Sequence, residues 1–231
     1  MITFEGLTVR RGSRAILQDC SLTLRDGVPG LVAPNGSGKT TLLEALDEPW
    51  KRRVSGQLLV DGQPTTPTEW EGTRFYLPSA EEVLEPSLTG RDQARIVCRL
   101  WRSNASLERI AAACGSADIL DIPVRKCSEG MRQLIAITVA MSTGARLLLL
   151  DEPLSALDPT NKQRVSKALR KWAGTGRTAV MSTHDLANVD STCSSIVFVH
   201  EGRLLTMGED SLQGQSSQQI YQALYEKGGR S

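Results

Sequence analysis

Residues 32–41, VAPNGSGKTT, have the residue types and spacing that bind a chain of phosphates. They follow an apolar segment that predicts a strand, and apolar residues on a helical spacing come after them. In a phosphate loop, backbone N–H groups surround the phosphates and the next helix adds positive potential at its N-terminus. Lys39 is expected to reach the β- and γ-phosphates, and the Thr40 hydroxyl to ligate Mg²⁺. Because Ala33 replaces the first glycine of the full pattern, a lysine in an ordinary helix start is the alternative.

Three further polar residues follow apolar runs. Asp151 and Glu152 come directly after LLLL, which predicts a strand buried on both faces, and His184 ends the segment VMSTH. Parallel strands end at one edge of a sheet, where ligands bind. There Asp151 can hold Mg²⁺ through water, Glu152 can polarise an attacking water, and a neutral His184 can bind a γ-phosphate oxygen or that water. Ordinary acids at a strand end and a structural histidine are the alternatives.

A third segment, KCSEGMRQLIAITVAM, joins a polar stretch to a helix with almost no polar face. Apolar residues from Leu134 to Met141 surround the helical wheel, which predicts a buried helix. Ser128 can cap this helix. Gly130 lowers the helix propensity of the first turn, so we expect this stretch to have a function beyond capping the helix.

Composition limits the class of protein. The chain has 231 residues, of which 40% are hydrophobic and 23% are charged, as in ordinary soluble proteins. The net charge of +1 gives no field that would attract nucleic acid, so no nucleic-acid partner is expected. Five cysteines without a CxxC pair suit a reducing compartment. No apolar run reaches the roughly 18 residues of a membrane helix, so a soluble, cytosolic chain is expected.

Strands and helices alternate along the chain, which predicts an α/β fold. Strands are expected first, in ITFEGLTVR and AILQDCSLTLR, and again in LLLL, TAVMSTH and SSIVFVHEGRLLTM. Helical spacing dominates between about 85 and 135 and predicts an inserted helical subdomain. We expect one domain over residues 1–210 and, over 211–231, a tail with a short helix in SQQIYQALYEKG.

These segments together resemble the nucleotide-binding subunit of ATP-binding cassette (ABC) transporters over about residues 1–210. Five motifs stand in the family order. They are the phosphate loop at 33–40, the signature CSEGM at 127–131, LLLLDEP at 147–153, SALD at 155–158 and STH at 182–184. The resemblance implies a P-loop NTPase core with a mainly parallel central sheet, an N-terminal antiparallel β subdomain and an inserted α-helical subdomain.

The resemblance also implies ATP and Mg²⁺ as ligands and assigns residues to them. The nucleotide-binding set is Arg11, Pro34, Asn35, Gly36, Ser37, Gly38, Lys39, Thr40, Thr41, Ser128, Gly130, Met131 and Asp158. The metal set is Thr40, Asp151 and, through water, Ser79. Glu152 and His184 are the catalytic residues that it implies.

Two such chains, identical or different, are implied to pair head to tail around two ATP molecules. The signature of one chain then faces the phosphate loop of the other, and Ser128 with the Gly130 N–H points at the partner's γ-phosphate. Glycine would allow close backbone approach there. Plain capping by Ser128 is an alternative that can hold alongside this role.

Four residues depart from the family pattern. Ala33 replaces a loop glycine, and Arg11 stands where an aromatic residue usually packs on adenine. Ser79 replaces a glutamine, so it reaches Mg²⁺ or the attacking water only through another water; alternatively, it merely ends a strand. Glu129 replaces a signature glycine and brings negative charge near the partner's phosphate.

The variant SxGMRQ and the segment SLTGRD at 87–92 look most like the branch that energises drug, peptide or lipid exporters. The implied partner is a separate membrane permease, docked beside residues 77–89 and the inserted helices. This places the chain in the cytoplasm, peripheral on the inner face of the membrane. An importer ATPase and a soluble ABC ATPase with an assembly or scaffold role are the alternatives, and the substrate stays open.

Overall fold

The chain begins with a four-stranded antiparallel sheet. The computed structural model describes residues 1–174, 176–208 and 216–226. The strands of this sheet are β1 (Ile2–Arg11), β2 (Arg14–Leu24), β4 (Val54–Val60) and β5 (Gln63–Pro64). Their order is β2-β1-β4-β5. The predicted N-terminal antiparallel unit is therefore confirmed.

A second, six-stranded sheet forms the centre of the molecule. Its strands are β3 (Pro29–Val32), β6 (Arg74–Leu77), β7 (Leu147–Leu150), β8 (Thr178–Thr183), β9 (Ser195–His200) and β10 (Arg203–Gly208). Their order is β10-β9-β3-β8-β7-β6, and only β10 runs antiparallel to its neighbour. Strands β3, β7 and β8 are buried along their whole length, because both faces of the sheet are covered. The predicted mainly parallel core is confirmed.

Helices cover both faces of this sheet. They are α1 (Lys39–Asp47), α2 (Pro67–Glu71), α3 (Ala80–Val83), α4 (Gly90–Leu100), α5 (Leu107–Cys114), α6 (Glu129–Ser142), α7 (Pro159–Ala173), α8 (Leu186–Thr192) and α9 (Ser217–Tyr221). Within the described ranges, no helix has the length and apolarity needed to cross a bilayer.

Helices α3 to α6 lie between β6 and β7, where the sequence predicts the helical insertion. The bounds of about 85–135 cut through α6, and the division of the chain into units stays a prediction. Residues 211–215 and 227–231 of the predicted tail lie outside the described part, which includes α9 and one π-helical turn at 222–226.

Helix α6 lies at the centre of the larger core. Every residue from Gln133 to Ser142 is buried, as the apolar wheel predicts. This helix packs with α4, α5 and α7 against the face of β7 that carries Leu148 and Leu150. The opposite face, with Leu147 and Leu149, packs with α1 and the antiparallel sheet. The central sheet is therefore held between two separate apolar layers.

An ion pair joins the two sheets. Asp61, in the turn between β4 and β5, accepts hydrogen bonds of 2.7 Å from both Nη atoms of Arg146, just before β7. Such two-pronged pairs fix geometry as well as charge. The hydrogen bonds from Arg146 hold the pKa of Asp61 well below its usual range.

Substitution of Asp61 by Asn should lower stability at neutral pH and have a diminishing effect in acid. A carboxyl with a lowered pKa in the folded state contributes its full stability above the unfolded value of about 4. That contribution is lost as pH falls through the folded-state pKa. Denaturant unfolding of both proteins between pH 7 and the acid limit of the native state measures it. If the difference in unfolding free energy between the two proteins stays constant with pH, the pKa of Asp61 is not lowered in the folded state.

Candidate nucleotide-binding site

The loop between β3 and α1 depends on two glycines. Gly36 and Gly38 have φ angles of 79° and 99°, in the left-handed region that side chains rarely adopt. Gly38 is also the N-cap of α1, and a Cβ atom there would lie 2.6 Å from Cγ2 of Ile16. The glycines therefore allow the loop to curl tightly, with the first N–H groups of α1 directed into it.

Lys39, the first residue of α1, lies inside this loop. Its Nζ donates to the carbonyl oxygens of Ala33 at 2.9 Å and Pro34 at 3.4 Å. It lies 3.6 Å from Oε1 of Glu152, and its side chain is only 7% exposed. A buried cation is thus fixed at the centre of the loop by carbonyl dipoles, and the contact of Lys39 with phosphates stays a prediction.

The carboxylate of Asp151 is shared by two hydroxyl groups. Thr40 Oγ1 donates to Oδ2 at 2.5 Å, and the fully buried Ser182 donates a short hydrogen bond to Oδ1. The backbone N–H of Asp151 donates to the Leu77 carbonyl at 2.9 Å. The pattern of strand ends predicts that Thr40 and Asp151 meet, and they do. Sequence reasoning assigned no role to Ser182, although it belongs to the STH motif.

Glu152 has an unusual backbone conformation, with φ at 46°. Such a conformation costs on the order of 1–3 kcal/mol outside glycine and needs support from its surroundings. Its N–H donates to Ser182 Oγ at 2.8 Å, and its carbonyl accepts from Ser155 Oγ at 2.9 Å. Its Oε1 lies 2.9 Å from Nδ1 of His184. The carboxylate is consequently held between the histidine and Lys39.

Lys39, Thr40, Asp151 and Glu152 line one cavity of about 480 Å³, whose lining does not include Ser182 or His184. Its walls are Arg11, Asn35, Gly36, Gly38, Lys39, Thr40, Thr41, Pro78, Asp151 and Glu152. The hydroxyl of Thr40 and the carboxylate of Asp151 are oxygen donors of the kind that Mg²⁺ prefers. Among the described residues, no cluster of three or more His, Cys, Asp or Glu could cage a metal. The donor set therefore fits a Mg²⁺ ion that also needs oxygens from water or phosphate.

A second cavity, of about 680 Å³, adjoins the first and shares Arg11 and Gly36 with it. Ser37 lines this second cavity, and its Oγ donates to the Pro34 carbonyl at 2.7 Å. Pro34 and Ser37 thus shape the loop from its outer side. Arg11 is exposed between the two cavities, where a guanidinium plane can stack on a planar ring.

The predicted signature residues lie elsewhere, at the start of α6. Ser128 Oγ accepts from the N–H of Met131 at 3.3 Å, so the capping role is present. A Cβ atom at Gly130 would lie 3.1 Å from the carbonyl oxygen of Ala156, so the chain itself favours a small residue here. Asp158 caps α7 and accepts from the N–H groups of Thr160 and Asn161. Within the described single chain, the cavity at the phosphate loop is not lined by the four predicted residues Ser128, Gly130, Met131 and Asp158.

Ser79 is engaged in a local contact. It is the N-cap of α3, where its Oγ accepts from the Glu82 N–H at 3.3 Å and lies 3.0 Å from the Glu82 carboxylate. Its neighbour Pro78, rather than Ser79, lines the cavity. These contacts give Ser79 a local role at the start of α3, two residues after β6 ends at Leu77, rather than at the end of the strand itself.

A phosphate loop after a central buried strand, with two acids after a parallel strand two places away in the same sheet, defines a P-loop nucleotide-binding ATPase. The family model described as ABC transporter matches residues 17–155. The chain belongs to this family. It is an ATP-binding subunit of a transporter and hydrolyses ATP.

Curated relatives and solved structures agree with this assignment. The lantibiotic transport ATP-binding protein SrtF of Streptococcus pyogenes is 27% identical over 212 residues, 89% of each chain. The fluoroquinolones export ATP-binding protein Rv2688c of Mycobacterium tuberculosis is 31% identical over 216 residues, 90% of this chain and 70% of the relative. A solved ATP-binding subunit of an ABC transporter has a TM-score of 0.83 at 24% identity, over 97% of this chain and 99% of its own, which supports the fold.

Substitution of Ser182 by Ala should lower the rate of ATP hydrolysis roughly tenfold or more, because hydrogen bonds to buried charged groups contribute about 1.5–3 kcal/mol. The change removes a donor to Asp151 and the acceptor of the Glu152 N–H. Steady-state ATPase assays with thermal unfolding measure the effect. The control is Ser142→Ala, which removes a buried hydroxyl whose hydrogen bond, among the described residues, lies within α6. Equal losses of rate in both variants would contradict a specific role for Ser182.

Proposed function

We propose that this chain binds ATP with Mg²⁺ in the cavity at the phosphate loop and powers export through a separate membrane permease. The observation that carries the proposal is the shared carboxylate of Asp151. It joins Thr40, at the loop, to Ser182, which also holds the backbone of Glu152. A phosphate-binding group and a candidate base are thereby held in one rigid arrangement.

Each residue has a role that its contacts support. Lys39 offsets the charge of the β- and γ-phosphates, and Arg11 stacks on the base. Thr40 and Asp151 hold Mg²⁺, which supplies charge stabilisation to the phosphates when bound. Glu152 accepts a proton from the attacking water, and His184 holds the Glu152 carboxylate in place.

Hydrolysis in this proposal requires two chains that pair head to tail. Ser128 and Glu129 are exposed at the N-terminus of α6, a helix end with free N–H donors and positive potential. Asp158 is also exposed, at the start of α7. These positions are free to face a second chain's phosphate loop, as the family pattern implies. The partner can be a second copy or a different ATPase subunit.

The export direction rests on the relatives. Rv2688c is named for fluoroquinolone export and SrtF for lantibiotic transport, and both match most of this chain. We extend this direction, together with a peripheral position on the inner face of the membrane, to the present chain. Import and a scaffold role are the competing proposals.

Substitution of Lys39 by Ala should weaken ATP binding at least tenfold, about 1.4 kcal/mol, because the charge opposite the phosphates is lost. Isothermal titration calorimetry with ATP measures the affinity. Lys51→Ala, at an exposed lysine beyond the end of α1, is the matched control and should bind as the parent does. Unchanged affinity in the Lys39 variant would mean that the loop does not bind phosphate.

Substitution of Glu152 by Gln should preserve ATP binding and nearly abolish hydrolysis, since an amide cannot accept a proton from water. An ATP-dependent dimer should accumulate, which sedimentation measures. Glu44→Gln serves as control, at a half-buried glutamate on α1 whose carboxylate pairs with Arg53.

The ATP-bound Glu152→Gln form also tests the partner. Captured from membranes, it should retain a protein with transmembrane helices. With the parent chain and ATP added outside, inverted vesicles that contain this protein should carry cargo from the medium into the lumen. ATP hydrolysis at the parent's rate in the Glu152→Gln variant would show that Glu152 is not the group that accepts the proton from water. Release of substrate from the lumen of the inverted vesicles, or capture of soluble assemblies alone, would favour the competing proposals.

A further inference from the structure

The first turn of α6 is held from two sides. On one side, Gln133 Nε2 donates to the Pro153 carbonyl at 3.0 Å in a buried contact, next to the cavity acids. On the other side, Arg132 contacts Glu81 of α3, with 3.3 Å between Nη2 and Oε1. Helix α3 begins at Ala80, and its N-cap Ser79 directly follows Pro78 of the cavity wall. The start of α6 therefore contacts two segments that border the cavity, namely the segment after Glu152 and helix α3.

Arg132 makes two contacts at once. Its Nη1 donates at 2.9 Å to the carbonyl of Cys127, the residue just before Ser128, while Nη2 contacts Glu81. A planar guanidinium can hold two acceptors in fixed directions, whereas a lysine ammonium has no such geometry. Nε of Arg132 is buried and has no hydrogen-bond partner among the described residues. Buried polar groups are normally hydrogen-bonded. With its Nε unpaired, the guanidinium is held by fewer hydrogen bonds than a buried group of this kind usually makes.

We propose that Arg132 is a positioning residue that fixes the first turn of α6 relative to α3. A displacement of α3 would then move Ser128 and Gly130 with it. This link bypasses position 79, whose hydroxyl is occupied in capping α3. The part of the inference that concerns pairing rests on the proposed function, whereas the link itself lies within one chain.

The two contacts of Arg132 differ in strength. Glu81 is 76% exposed, and an ion pair this exposed changes an equilibrium by at most about fivefold. The bond from the guanidinium to the Cys127 carbonyl involves a charged donor and is worth about tenfold or more. Loss of Glu81 removes the contact to α3 alone, whereas loss of the guanidinium also removes the stronger bond to the Cys127 carbonyl.

Amide hydrogen exchange on the isolated chain tests the link without requiring a partner. Glu81→Gln should raise exchange at the first-turn amides of α6, Met131 and Arg132, about two- to fivefold, although it alters another helix. Arg132→Lys should raise exchange at the same amides about tenfold. The double variant should match Arg132→Lys, since the pair is already broken. The controls Arg125→Lys and Glu71→Gln, at exposed sites, should leave these amides unchanged.

If Glu81→Gln leaves the first turn of α6 unchanged while Arg132→Lys loosens it, Arg132 is a local cap and the link is refuted. Additive effects in the double variant would also refute it.

A second readout separates positioning from folding and from the proposed function. Both variants should keep the KM for ATP within about twofold, because the phosphate loop is untouched. Glu81→Gln should lower kcat by up to about fivefold, and Arg132→Lys by about tenfold. Equal losses in thermal stability and kcat, with KM raised, would show a merely structural role. If the parent chain fails to bind ATP, the proposed function fails, and hydrogen exchange still decides the link.

Discussion

The arrangement of the site depends on one carboxylate that two hydroxyls share. Asp151 follows β7, Ser182 lies in the adjacent strand β8, and Thr40 follows the next strand, β3. Both carboxylate oxygens are occupied, so the ends of three neighbouring strands are fixed relative to one another. A shift of one residue in the register of any strand would turn its side chain to the opposite face. The fully buried apolar strands set that register, and the carboxylate depends on it.

The same contact explains how an unfavourable backbone is maintained. Glu152 occupies the left-handed region, and Ser182 accepts its N–H while donating to Asp151. One buried hydroxyl thus satisfies a charge and supports a strained peptide, and the strain turns the Glu152 side chain toward His184 and Lys39. Because buried polar groups are costly unless paired, Ser182 cannot be replaced by an apolar residue of similar size without loss on both sides.

Sequence patterns predicted those parts of the site that depend on local order. Lys39 and Asp151 could be placed because a loop before a helix and an acid after a buried strand have defined positions in a parallel sheet. The cap at Ser128 follows from residue type alone. The double role of Ser182 and the contact between Gly130 and Ala156 could not be predicted, since each depends on distances between segments far apart in sequence. Likewise, the alternation of strands and helices predicted the fold class but not the strand order, and short elements such as α3 have too few residues for a periodic pattern.

The segment after Glu152 connects the chemistry to helix α6. Its Pro153 carbonyl accepts from Gln133, and its Ala156 carbonyl lies where a side chain at Gly130 would point. Packing within the chain thus explains why residue 130 is a glycine, independently of any approach by a second chain's phosphate. Packing against Ala156 and approach by a second chain are compatible, because the first turn of α6 packs through its side and leaves its N-terminus exposed. In the proposed pair of chains, this helix end contacts the segment after the acids of its own chain, and its exposed N-terminus faces the cavity of the second chain.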